Sequence, residues 1–257
     1  MALDIDLNCD TGESFGAYAL GNDDALLRLV SSANVACGFH AGDASVMRRT
    51  VKTCLAHGVR IGAHPGLPDL QGFGRRAMGL SAEDVYDITL YQIGALQAIA
   101  AAEGGRVEHV KPHGALYHMA ESDERVADAI ARAAARAGDR LTLVGLSGGR
   151  LVAAGRALGL PAWEEAFADR AYRPDGGLVP RSAPGAVLDD PAAAANQALR
   201  LARDKSAIAV NGDIVPVKAD TICIHGDGPH AAEFAEAIRR TLTAAGIRIG
   251  RDPHGTK

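Results

Sequence analysis

The sequence predicts an α/β protein, a seven-stranded (β/α) TIM-like barrel, on three observations. Strand-like and helix-like runs alternate from end to end, which argues for a parallel sheet joined by right-handed crossovers. About seven such units are present against the eight of the common barrel, and the chain of 257 residues is near that fold's usual length. Several strand-like runs also end in ionisable residues just before Gly- or Pro-rich turns, as in NVACGFHAGD, RIGAHPG, VEHVKPHG and TICIHGD. A barrel gathers such groups at the carboxyl ends of its strands, where the active sites of these folds lie. A doubly wound open sheet is the alternative.

The elements follow in order. LDIDLN reads as the first strand, then a short helix from about Asp23 to Val30, then a strand ending near His40. Asp43 can cap the next helix, and Gly58 stands where helices commonly stop. The strand ending at His64 leads into the loop PGLPDLQGFGRR. Ser81 with Asp84 forms a capping-box pattern for a long helix to about Gly104. VEHVK is the next strand, and Ser122 can cap the Ala-rich helix that runs to Gly138. LTLVG, GRLVAAGRALG, PAWEEAFAD, a second long loop, a helix opened by Asp190-Pro191, TICIHG and a helix from Pro229 to Gly246 complete the series. One barrel domain over residues 1–250 is expected, with 251–257 a frayed tail.

Composition narrows the class. Hydrophobic residues make up 47% and aromatic ones 4%, so Ala, Val, Leu and Ile must fill the core. With 27 basic and 31 acidic residues spread along the chain, no basic block points to nucleic acid. No apolar stretch is long enough to span a bilayer, and no signal peptide is evident, so a cytoplasmic location is expected. Cys9, Cys37, Cys54 and Cys223 lack the spacing of a disulfide or zinc framework and read as buried thiols.

Strand phase locates the chemistry. Asp6 and Asn8 share one face of the first strand, Asn34 with His40 and Gly62 with His64 share the equivalent faces of the next two, and the apolar residues between them face the helices. Asp6, His40 and His64 are therefore candidate ligands of a divalent metal with an open position for water. The same histidines, with His113 and His225, are candidate general acids or bases, and Lys111 can stabilise an oxyanion. Asn8 and Glu13, in the first polar run DIDLNCDTGE beside Asp10, are candidate substrate- or phosphate-binding residues. Two long loops carry Arg75 with Arg76, and Arg170 with Arg173, beside glycines, a pattern suited to phosphate or another anion. The turn GLSGGR (145–150) opens a helix whose amides can also hold an anion.

The strings DLNCDTGESFG, NVACGFHAGD, GAHPGLPDLQGFGRR, VKPHGALYH and EAFADRAYRPDGGLVPRS, in that order over about residues 3–250, resemble the LamB/YcsF family. The resemblance implies a seven-stranded barrel of the glycoside hydrolase/deacetylase type. It also implies ATP-dependent opening of the lactam 5-oxo-L-proline to L-glutamate, with ATP as co-substrate and two companion subunits, B and C. A metal-dependent deacetylase or amidohydrolase acting on a small carbohydrate or amide is the competing expectation from the residues themselves.

Overall fold

Alternation along β1 (Asp4–Thr11) turns Asp6, Asn8 and Asp10 to one side and Ile5, Leu7 and Cys9 to the other, the latter three buried in the main apolar core. The computed structural model describes residues 3–138, 140–224 and 231–250, and the expected tail at 251–257 lies outside them. β2 (Ser32–Ala36) and β3 (Arg60–His64) follow after α1 (Asp23–Leu27) and α2 (Ala44–His57). Asp43 caps α2 through the amides of Ser45 and Val46, and Gly58 ends it at φ 65°, as the sequence predicts. α3 (Ala82–Ala102) begins with the predicted Ser81–Asp84 capping box.

The middle of the chain departs from expectation at two places. After β4 (Val107–Val110) come two helices, α4 (Gly114–Ser122) and α5 (Glu124–Ala137). Ser122 closes α4, its hydroxyl donating to the carbonyls of His118 and Met119, and Asp123 caps α5 instead. β5 (Thr142–Leu146), α6 (Arg150–Ala157), β6 (Ala162–Phe167) and α7 (Pro191–Asp204) follow, the last with Asp190 as cap and Pro191 in its first turn. An unanticipated antiparallel hairpin, β7 (Ser206–Ile208) with β8 (Ile214–Pro216), then precedes β9 (Thr221–Ile224). Its turn contains Asn211-Gly212, with Gly212 at φ 89°, a hairpin signal visible in the sequence. α8 (Ala231–Ala244) and β10 (Arg248–Ile249) complete the order.

β1, β2, β3, β4, β5, β6 and β9 pair in parallel and in that order, and β9 returns to β1, closing a seven-stranded barrel. β10 adds to β1 beside Asp4 and Ile5, outside the closed ring. Closure settles the choice between barrel and open sheet. Among the described residues, no helix is long and apolar enough to cross a membrane.

Candidate functional site

The barrel is lined by polar residues arranged in depth. Near the amino ends of the strands, Asp6 accepts hydrogen bonds from Ser31 Oγ (2.6 Å), Ser32 Oγ (2.7 Å) and Thr221 Oγ1 (2.6 Å), and pairs with Arg60. Arg60 in turn lies over the ring of Trp163, 5.0 Å from its centre. Asp6 therefore does not converge with His40 and His64 as expected. Four partners hold it at the opposite end, where it ties β1 to β2, β3 and β9.

A second layer sits above it. Asn8 donates to Glu165 (3.1 Å) and Thr221 (2.7 Å), and Asn34 donates to Asn8 (2.8 Å) and Asp10 (2.9 Å). His109 Nε2 donates to Asn34 Oδ1 at 2.9 Å, and burial pulls this imidazole down to about 3. Lys111 Nζ lies among Asp10 (3.0 Å), Glu165 (2.8 Å), Asn8 (3.1 Å) and Cys223 Sγ (3.1 Å). Burial works against its charge, yet the flanking carboxylates of Asp10 and Glu165 hold it protonated well above the usual lysine range. Asn8 is thus a buried scaffold for Lys111.

At the carboxyl rim the imidazoles gather. His64 follows the predicted inward phase of β3, and Asp10, not Asp6, is its carboxylate neighbour, with Oδ2 3.4 Å from His64 Nε2. His113, at the N-cap position of α4, places Nδ1 3.1 Å from His64 Nε2. His40 stacks on His113 with ring centres 3.7 Å apart, and Glu13 Oε1 lies 3.3 Å from His40 Nε2. Glu13, His40, His64 and His113 are all buried, and one donor atom from each falls within 4.8 Å of the others. Among the described residues, these four form the group that could hold a metal.

A strained loop supports the cluster. Phe73, a non-glycine residue at φ 53°, presents its carbonyl to His113 Nε2 at 2.8 Å. Gly74 follows at φ 62°, where a Cβ would come within 2.6 Å of His40 Cβ. Asp69 holds the loop by a two-point pair with Arg76. Arg76 is thereby committed to loop structure, and Arg75 alone of the two turns to the cleft, its guanidinium 4.9 Å from the Phe73 ring centre.

The cleft above these layers has a volume of about 560 Å³, within the range of small-molecule sites. Asp10, His64, Lys111 and His113 form its floor, and Arg75, Arg170, Arg173 and Arg181 reach its walls. The second arginine loop differs from a mobile lid. Arg170 is 4% exposed and donates to the carbonyls of Ala186 (3.2 Å) and Val179 (2.7 Å), while Gln197 anchors the carbonyls of Phe167, Ala168 and Arg170. Arg173 is half-exposed beside Asp175. The anion site expected at the turn 145–150 is filled by the protein itself: the Glu121 carboxylate accepts the amides of Arg150 (2.7 Å) and Leu151 (3.4 Å). His225 lies outside the described residues.

Asp10, His109 and Glu165 are interior residues beyond the candidates that the sequence singles out. Asp10 and His109 share the inward phase of Asp6 and Lys111, so the signal is present in the strand pattern. Glu165 sits in PAWEEAFAD, where Glu164 and Glu165 offer two equally acidic choices of face.

A closed parallel barrel with a buried lysine, carboxylates and imidazoles beneath an arginine-walled cleft is the layout of an enzyme acting on a small polar molecule. The chain belongs to the LamB/YcsF family, whose model matches residues 5–255. It is 54% identical over 245 residues to the A subunit of 5-oxoprolinase from Brevibacillus brevis, covering 95% of this chain and 96% of that one. The protein of the same name from Bacillus subtilis is also 54% identical, with 95% of each chain covered. The crystal structure of a lactam utilization protein from Thermus thermophilus superposes with a TM-score of 0.93 at 49% identity, covering 96% of this chain and 99% of that one. A family 4 carbohydrate esterase from Streptomyces lividans shares the fold alone, at 15% identity and a TM-score of 0.52.

Proposed function

We propose that this chain is the A subunit of an ATP-dependent 5-oxoprolinase, opening 5-oxo-L-proline to L-glutamate. The carrying observation is 54% identity over 95% of the chain to proteins of that name, joined to a cleft whose floor holds Asp10, His64, Lys111 and His113. That those relatives are named as one subunit of an enzyme supports companion chains, which we take to be B and C. Four unpaired cysteines, all buried, support a reducing compartment and hence the cytoplasm.

The chemistry suits the residues. A lactam carbonyl is a poor electrophile because its nitrogen lone pair delocalises into it. Transfer of the terminal ATP phosphoryl group to the lactam oxygen makes the ring carbon electrophilic and the oxygen part of a leaving group. Water then adds to that carbon and the ring C–N bond breaks, the nitrogen taking a proton to become the amine of a γ-glutamyl phosphate, and a second water releases phosphate to leave the carboxylate of glutamate. Lys111 and the cleft arginines offset charge on phosphate and oxyanion, and the Asp10 carboxylate takes the water's proton. The test is release of glutamate and phosphate from 5-oxoproline and ATP by this chain, with and without its B and C companions. Substrate-dependent turnover by the assembled subunits is expected; its absence there would sink the assignment.

A further inference from the structure

We infer that Glu13, His40, His64 and His113 form a binding site for one divalent cation of the zinc type. The argument begins with tautomers. His64 Nδ1 lies 2.7 Å from the Lys111 carbonyl, and His113 Nε2 lies 2.8 Å from the Phe73 carbonyl. A carbonyl only accepts, so each ring spends its proton on the outer nitrogen. The inner nitrogens, His64 Nε2 and His113 Nδ1, then face each other at 3.1 Å with a lone pair on each. Two lone pairs at that separation repel unless a cation lies between them or one ring takes a second proton. The placement of two further donor atoms, from Glu13 and His40, beside these nitrogens favours the cation.

The other two donors complete the set. Gly66 packs against Nδ1 of His40, where even a Cβ would come within 2.4 Å, so Nε2 is the nitrogen turned to the cluster. Glu13 Oε1 lies 3.3 Å from that nitrogen and 3.7 Å from His113 Nδ1, bringing a carboxylate to three imidazoles. A tetrahedron with bonds of about 2.1 Å to zinc has donor–donor edges of about 3.4 Å. Three of the six donor–donor separations, 3.1, 3.3 and 3.7 Å, lie near those edges, and all six fall within 4.8 Å. Three nitrogens and one oxygen suit zinc or a similar borderline ion better than magnesium or calcium, which favour oxygen alone. For His64 and His113, fixing of the outer nitrogen by a backbone carbonyl is the support that metal-bound histidines usually carry. The proposed cation shares His64 and His113 with the floor of the cleft.

The purified chain, stripped with a chelator, is titrated with zinc chloride against a chromophoric chelator, and with cobalt chloride while its visible absorption is followed. One equivalent per chain is expected, with an intense low-symmetry cobalt spectrum. His64→Gln, His113→Gln and Glu13→Gln should each weaken zinc at least tenfold, and His57→Gln, on α2 away from the cluster, should leave it unchanged. Circular dichroism checks that each variant is folded, and the wild-type stoichiometry decides the question even if a variant fails to fold. Less than one equivalent, a cobalt spectrum like that of the aqueous ion, or unaltered binding in the folded histidine variants would overturn the site. The readout needs neither lactam nor ATP, so its failure is distinct from failure of the 5-oxoprolinase assignment.

Discussion

Gly62 and His109 divide one space inside the barrel. A Cβ on Gly62 would lie 2.0 Å from His109 Nε2, the atom that donates to Asn34. The imidazole thus fills the gap that β3 leaves by carrying hydrogen where its neighbours carry side chains. Gly62→Ala should displace the ring, leave Asn34 short of a partner and cost at least about 1–3 kcal/mol by overpacking. Denaturant unfolding of the single variants and of Gly62→Ala/His109→Ala measures this. The double variant should be more stable than the sum of the two changes implies, and strict additivity would show that the two residues do not compete.

The same imidazole makes stability depend on pH. His109 is held near 3 in the fold but titrates at about 6.5 in the unfolded chain, so between those values only the unfolded chain takes the proton. Stability is therefore full above about pH 7 and falls as the pH drops. The loss from this one residue should reach about 2 kcal/mol at pH 5. His109→Gln should flatten the curve of unfolding free energy between pH 7 and 5 by that amount; an unchanged slope would contradict the assignment.

Lys111 carries opposing demands. Its removal should lower turnover of the assembled enzyme by about 10²–10³-fold, as loss of a charge-stabilising donor does. It also leaves Asp10 and Glu165 buried without their cation, at a cost of about 3–5 kcal/mol. Lys111→Met/Glu165→Gln should regain much of the stability without regaining activity. Thermal melting and glutamate release, measured on the same preparations, separate the two effects, and recovery of activity in the double variant would remove Lys111 from the chemistry.

The two arginines of the second loop should part company. Arg170→Ala deletes charged hydrogen bonds to two carbonyls in a buried setting, worth about 1.5–3 kcal/mol each, and should lower the melting temperature clearly. Arg173 is half-exposed beside Asp175, so Arg173→Ala should barely change melting while raising the KM for a substrate held by its charge. Equal effects of both variants on melting would undo this division.

Much of the molecule is legible in its sequence, and the misses have definite causes. Period-two strands alternating with capped helices announce the barrel, because each pattern belongs to one backbone geometry. Strand phase places His64, and the strand end in VEHVKPHG marks Lys111. Phase tells which way a side chain points but not its depth: Asp6 and Asp10 share a face yet stand about 13 Å apart along β1, at about 3.3 Å per residue. That distance separates an anchor near the amino ends from a group at the rim. The burial of Arg170 escapes the sequence because it depends on how the loop folds back, here onto Gln197 of α7. Glu121, distant in sequence from the 145–150 turn, gives no local sign that it caps α6.

The pairing of β1 with β9 joins residues at opposite ends of the chain, with Asp6 beside Thr221. A nascent chain emerging from the ribosome carries β1 through β6 long before β9 exists. Until then β1 and β6 are two raw edges with unpaired amides and carbonyls, and their natural partner is missing from both sides. Such edges invite pairing between chains. Premature stops ahead of Thr221 should therefore produce aggregating polypeptides in place of smaller active barrels, and holding both edges apart until synthesis finishes becomes a task for the cell's chaperones.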